Sequence, residues 1–369
     1  MSGSAQPDPG PGAPRGGPVR VLIVDDSATF RSALPAVLER AGVRVVATAA
    51  DGEEAVKAVA LLHPDVVLMD VRMPRLDGLL ATQRIMARTP VPILLMTARD
   101  NLAADVDLGL RALECGALEL IPKPDLSDLR EGGLLRLVSQ LRLLAGVPVI
   151  SHPRGRRELP PEQAGDSGAH PLLNRPTTFH KRAKRVVGVV ASTGGPRALL
   201  DLLQGLPSNF PAALVVVQHI DEAFQEGLVR WLEEETPLRV VLAGPDEDLH
   251  TGTAYLAPQG RFAEVTARRR IQLGEGRASA GGHCPSGDRL LTSLASAYGA
   301  HAIGVVLTGM GNDGAEGLLR LRRAGAHTVA QDETSSVIWG MPRAAVEAGA
   351  AERVLPLSEI APALLGWLA

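Results

Sequence analysis

The chain has 369 residues, too many for one ordinary hydrophobic core and suited to two domains with connectors. Hydrophobic residues make up 45%, charged residues 21%, and the net charge of −3 gives no electrostatic reason to expect nucleic acid as a partner. No apolar run reaches the ~18–20 residues that cross a bilayer, and Cys115 and Cys284 stand far apart in no metal-ligand spacing, so a reduced intracellular setting without membrane insertion is expected.

Residues 1–18, rich in Gly, Pro, Ser and Ala, read as a flexible tail without a secretory apolar stretch. From 19 to 144, short β-branched runs alternate with amphipathic stretches. Val21–Val24, Val43–Val46, Val66–Met69, Ile93–Met96 and Leu118–Ile121 read as five strands. They are mostly too apolar for one wet face, which predicts a parallel, doubly wound sheet with helices on both sides. Ser27 is positioned to N-cap the first helix and Gly42 to end it, while Pro35 falls awkwardly inside. Between 145 and 185 the periodicity collapses into a proline-punctuated linker. Its last residues, Lys181–Arg185, form a short basic run that reads as a solvated face.

From 186 to 369 a second α/β alternation begins, with strands at Val186–Ala191, Leu214–Gln218 and Ile303–Leu307. A hairpin-like interruption is expected over Thr253–Leu273.

In the first half, Asp25 and Asp26 follow the first strand, Asp70 ends the third, Thr97 ends the fourth and Lys123 follows the fifth. A doubly wound parallel sheet brings all five to its carboxyl edge, where ligands bind. Three carboxylates there repel one another and call for a hard cation such as Mg²⁺, which would also let an anionic phosphoryl group approach Asp70 as nucleophile. Strand-end acids that only cap helices would explain one or two aspartates, but not the hydroxyl and ammonium on the neighbouring strands.

Asp25-Asp26, Met69–Pro74 with Asp77-Gly78, Thr97-Ala98 and Lys123-Pro124 together resemble the receiver domain of bacterial response regulators. The resemblance implies a flavodoxin-like five-stranded fold whose Asp70 is phosphorylated by a histidine kinase. Mg²⁺ would be held by Asp26, Asp70 and the Arg72 carbonyl, with Asp25 helping through water, and Thr97 and Lys123 would hold phosphate oxygens. Leu120 stands where many receivers carry an aromatic residue.

In the second half, Ser192 lies in Val189-Val-Ala-Ser-Thr-Gly-Gly-Pro196, between a strand and a helix opened by Pro196. Such a turn offers free backbone amides, which suit a nucleophile and a bound anion equally. His219 follows the next strand and is placed to act as base. Asp313, in the turn after the Ile303–Leu307 strand, is placed to orient His219 or to cap a helix. The order Ser…His…Asp, with Val190 where G-x-S-x-G needs glycine, disfavours an ordinary α/β-hydrolase. A nucleotide site is disfavoured too, because neither a full G-x-G-x-x-G nor a P-loop lysine is present.

Ala191–Pro196, Val217–His219, Tyr255–Pro258, Pro285–Asp288, Leu307–Ala315, Ala330–Glu333 and Gly340–Arg343 resemble the catalytic domain of the chemotaxis protein-glutamate methylesterases. That resemblance implies a Rossmann-like α/β domain with Ser192, His219 and Asp313 as catalytic triad. The Met310 amide would donate to the oxyanion with help from Thr193, and the esterase would need no cofactor. It further implies a cytoplasmic enzyme that demethylates glutamyl esters, and deamidates glutamines, on chemoreceptor cytoplasmic helices, with the receiver restraining it until phosphorylated. Val190 replaces a glycine usual in that family, and Gln259-Gly-Arg-Phe262 stands where a histidine is common.

Overall fold

The computed structural model describes residues 17–98, 108–124, 133–147, 149, 181–276 and 283–368. The predicted tail, except residues 17 and 18, and most of the predicted linker lie outside these residues. Two compact units divide the chain between Arg156 and Arg157.

The first unit runs β1 (Arg20–Val24), α1 (Ala28–Arg40), β2 (Arg44–Ala49), α2 (Gly52–Leu62), β3 (Val66–Asp70), α3 (Gly78–Arg88), β4 (Ile93–Thr97), α4 (Leu108–Glu114), β5 (Glu119–Pro122) and α5 (Gly133–Leu144). The five strands are parallel in the order β2-β1-β3-β4-β5. Every residue of β3 and β4 is buried, as expected of central strands covered on both faces. Ser27 caps α1 by accepting the Phe30 N–H, and Gly42 follows its last turn at φ +77°. Pro35 is accommodated inside that helix.

The second unit contains β6 (Val186–Ala191), α6 (Gly195–Gln204), β7 (Ala213–Gln218), α7 (Gln225–Glu235), β8 (Arg239–Leu242), β9 (Glu247–Asp248), β10 (Thr253–Leu256), β11 (Arg261–Val265), β12 (Arg270–Glu275), α8 (Gly287–Tyr298), β13 (Ala302–Val306), α9 (Ala315–Arg323), β14 (His327–Gln331), α10 (Met341–Glu347), β15 (Arg353–Leu355) and α11 (Leu357–Leu368). Seven strands form a parallel sheet in the order β15-β14-β13-β6-β7-β10-β8, and β11-β12-β9 form a small antiparallel sheet.

The hairpin expected over Thr253–Leu273 is therefore shorter and later. Thr253–Leu256 is a fully buried strand between β7 and β8, and only β11 and β12 form the hairpin. A four-residue buried strand carries no alternation, so its sequence does not separate it from a hairpin arm.

Alternation along β6 sorts the layers. Gly188 leaves room for Leu291 and Leu294 of α8, and Gly304 of β13 does the same for Leu318 and Leu321 of α9. On the opposite face Ala191 packs against Gly195 at the start of α6. β6, the earliest strand of this sheet, lies between β7 and β13: the chain first adds β7, β8 and β10 on one side of it and later crosses back to add β13, β14 and β15 on the other, and this reversal opens a crevice at the carboxyl end of β6.

Candidate active site

In the first unit the carboxyl edge gathers the predicted residues. Ligand atoms of Asp25, Asp26 and Asp70 all lie within 4.8 Å of one another. Lys123 Nζ reaches Asp25 Oδ2 at 2.6 Å and Asp70 Oδ2 at 2.7 Å. The Arg72 N–H donates to Asp70 Oδ1 at 3.2 Å, and the Lys123 N–H donates to the carbonyl of buried Thr97 at 2.7 Å. Burial holds the Asp70 carboxyl above its usual range, against the pull of Lys123. Burial works to lower the Lys123 ammonium, but hydrogen bonds to Asp25 and Asp70 outweigh it and hold the group protonated. This hard-oxygen donor set with excess negative charge fits Mg²⁺. Gly78 packs so closely on the Asp70 carbonyl that no side chain fits there. Leu120 is buried in β5, paired with Leu95 of β4.

In the second unit three strand ends converge on the crevice beside β6. Register pairs Ala191 with Gln218, which sets Ser192 and His219 next to each other on neighbouring strands. Gln218 Nε2 donates to both the Ser192 carbonyl at 2.8 Å and the His219 carbonyl at 2.9 Å, fastening the two turns together. The Ser192 turn is tight: the Gly195 N–H returns to the Ser192 carbonyl at 2.7 Å, and Gly194 adopts φ +77°.

His219 Nε2 meets Asp313 Oδ2 at 2.9 Å. His219 Nδ1 is buried and finds no hydrogen-bond partner among the described residues. With Nε2 as donor to Asp313, Nδ1 carries the lone pair of a base. Asp313 also accepts the Gly287 N–H at 2.7 Å, the Asp288 N–H at 3.0 Å and the Ser286 hydroxyl at 3.1 Å. Burial works to raise its carboxyl, but these hydrogen bonds, His219's foremost, hold it down at about 2. Asp313 is thus an anion at neutral pH.

Met310 lies in the turn after β13, where Gly309 passes against Ser192: a Cβ on Gly309 would stand 2.7 Å from that of Ser192. Thr308 ties this turn to the Ser192 turn by donating its hydroxyl to the Thr193 carbonyl at 3.0 Å, and its N–H donates to Gln331 Oε1 at 2.8 Å.

Val190 does not distort the turn. Its side chain fills a slot against Gly287, where a Cβ would come within 2.8 Å of both Val190 methyls, and Gly314 flanks it. Gln259 donates to the Gln218 carbonyl at 2.9 Å and takes Gln225 Oε1 on its own N–H, so it braces the His219 strand end. In the sequence no role falls to Gln218, Ser286 or His283, whose ring lies near-parallel to that of His219, and Gln259 is marked only as standing where a histidine is common. The motif Pro285–Asp288 was the one signal that could have drawn attention to the segment carrying His283 and Ser286.

A parallel sheet with an acidic phosphoacceptor-type pocket thus precedes an α/β unit that carries serine, histidine and aspartate at one crevice. Residues 21–132 match the response regulator receiver domain and residues 187–364 match the CheB methylesterase. The chain is 45% identical over 353 residues to protein-glutamate methylesterase/protein-glutamine glutaminase 3 of Myxococcus xanthus, covering 94% of this chain and 93% of that protein. It is 46% identical over 357 residues to the protein-glutamate methylesterase/protein-glutamine glutaminase 2 of Anaeromyxobacter dehalogenans, covering 94% and 96%. The catalytic domain of Thermotoga maritima CheB methylesterase superposes at a TM-score of 0.48 with 34% identity, over 49% of this chain and 97% of that one. The chain belongs to the CheB family of response-regulator methylesterases.

Proposed function

We propose that the chain is a phosphorylation-activated serine esterase that hydrolyses glutamyl γ-methyl esters, and deamidates glutamines, on the cytoplasmic helices of methyl-accepting chemoreceptors. The observation that carries this reading is the His219 ring, held by Asp313 through Nε2 with Nδ1 buried and unpartnered among the described residues, on a strand end that the register sets beside that of Ser192.

The Ser192 hydroxyl attacks the ester carbonyl carbon while its proton passes to His219 Nδ1, and Asp313 stabilises the resulting imidazolium. The oxyanion is held by the Met310 amide with Thr193 assisting; one such donor is typically worth roughly 10²–10³ in turnover. His219 then returns the proton to the departing methoxide, and methanol leaves. Water attacks the acyl-enzyme as His219 takes its proton, and His219 hands that proton to the departing Ser192 oxygen, releasing the glutamate carboxylate and restoring the hydroxyl. With a glutamine side chain the same steps expel ammonia. These residues supply nucleophile, base and oxyanion donors, so the esterase half calls for no cofactor.

Regulation enters at Asp70, phosphorylated by a chemotaxis histidine kinase. Asp25, Asp26, Asp70 and the Arg72 carbonyl would hold Mg²⁺, which when bound offsets the carboxylate charge and the charge of an incoming phosphoryl group. Lys123, now bridging Asp25 and Asp70, is placed to move onto a phosphate oxygen, with Thr97 beside it. Among the described residues no helix is long and apolar enough to cross a membrane, and a reaction on receptor cytoplasmic helices places the enzyme in the cytoplasm.

Methanol release from methylated receptor membranes tests the reading. Wild type releases methanol and Ser192→Ala does not; equal rates from the two would refute the esterase assignment.

A further inference from the structure

His283 takes no part in the reaction as derived above, yet its ring is stacked on that of His219. Its imidazole lies on His219 with ring centroids 4.3 Å apart and planes 14° from parallel. The chain then runs straight into Ser286, Gly287 and Asp288, all three of which donate to Asp313. One short segment therefore grips the Asp313 carboxylate and lays a flat ring on the histidine which that carboxylate holds.

The bond to Asp313 fixes one ring atom of His219 but leaves the ring free to tilt about it. Tilting would displace Nδ1, the nitrogen left to act as base. A second flat ring in van der Waals contact removes that freedom. A neutral imidazole also presents a π face to His219 when it becomes cationic. His283 suits this, because burial, and then the nearness of His219, lower its tendency to take a proton; Asp313 opposes them more weakly.

We propose that His283 is a positioning residue of the esterase: its ring lies flat on His219 and holds it in the plane in which Nε2 meets Asp313, so that Nδ1 stays in place to serve Ser192 as base. The assignment rests on the esterase reading, and it concerns the ring face of His283 rather than its nitrogens.

The test uses the full-length protein with methylated receptor membranes. Wild type and Ser192→Ala are assayed first, so that failure of the esterase reading shows itself there as equal rates. His283→Ala and His283→Phe then follow in the active background. His283→Ala lowers kcat on the order of tenfold, a modest misplacement of a reacting group, and leaves KM within about twofold. His283→Phe keeps a flat ring and recovers most of that loss. Nitrogen NMR relaxation of the His219 ring gives a readout that simple loss of structure would not: the Nε2-protonated tautomer persists in every variant because Asp313 still accepts from Nε2, while ring motion increases in His283→Ala and stays at the wild-type level in His283→Phe. An unchanged kcat in His283→Ala overturns the proposal. A phenylalanine variant no better than the alanine one overturns it as well.

Discussion

Asp313 accepts four hydrogen bonds, one from His219 and three from Ser286–Asp288, and its charge carries a stability consequence apart from catalysis. Its carboxyl sits at about 2 in the folded chain against 3.8 as the ordinary value. A depressed acid stabilises the fold fully above the unfolded value and loses that contribution as pH falls from about 4 through about 2, a span worth roughly 2 kcal/mol. In urea titrations the gap between wild type and Asp313→Asn is therefore widest above pH 4 and closes toward pH 2. At the same scale, the residues with strand-end addresses were readable in the sequence: Asp70, Ser192, His219 and Asp313 each follow an apolar run that announces a sheet edge. His283 follows no strand, and its partner is set by folding rather than by spacing, so nothing local marks it. Gln218 and Gln259 read as ordinary polar residues because a glutamine clamp shows itself only once the two backbone turns are side by side.

The turns and strands form interlocking pieces whose fit is readable in complementary sizes. Val190 and Gly287 are one such fit, strand β6 filling what the start of α8 leaves open. Val190→Gly removes a buried side chain and costs roughly 2–4 kcal/mol. Gly287→Ala adds a methyl into occupied space and costs about 1–3 kcal/mol. Combined, the two changes cost less than their sum by at least about 0.5 kcal/mol, read from a double-mutant cycle of chemical denaturation. Additive values would mean that the side chain at 190 does not occupy the Gly287 slot. A second fit lies where Gly309 slides past Ser192. Gly309→Ala places a methyl against the Ser192 Cβ and the Met341 sulfur, and methanol release falls on the order of 10²-fold. Melting temperature drops by only a few degrees, because the intrusion is confined to one turn. The element pattern itself was legible wherever a strand was long and apolar; β10 escaped because four buried residues say nothing about which sheet they join.

Across the whole molecule, input and output belong to separate compact units, so they are separable by chemistry. A small phosphodonor raises the methanol-release rate of wild type and leaves Asp70→Asn at its basal rate. Chelation of divalent cations abolishes the phosphodonor effect and spares the basal rate, because the carboxylate cluster and the Ser192 crevice share no residue. A population shift of this kind is bounded by how much more phosphorylation stabilises the active arrangement than the inactive one. A rate indifferent to phosphodonor would refute the regulatory account while leaving the esterase intact. The two-domain plan was readable from the collapse of periodicity after residue 144 and its return at 186. Which strands flank β6 was not, because strand order depends on crossovers that span long stretches of chain.

That strand order bears on how the protein is made. β6 takes β7 along one edge soon after it is synthesised, but its other edge waits for β13, which begins only at Ala302. Until then the ribosome-borne chain displays a strand of the composition VVGVVA, uncharged and free of proline, with one side unpaired. Such an edge is a template for pairing with another chain. Chains cut short ahead of Ala302 therefore collect in the insoluble fraction, and the crevice cannot hydrolyse anything until its last partner, Asp313, has left the exit tunnel.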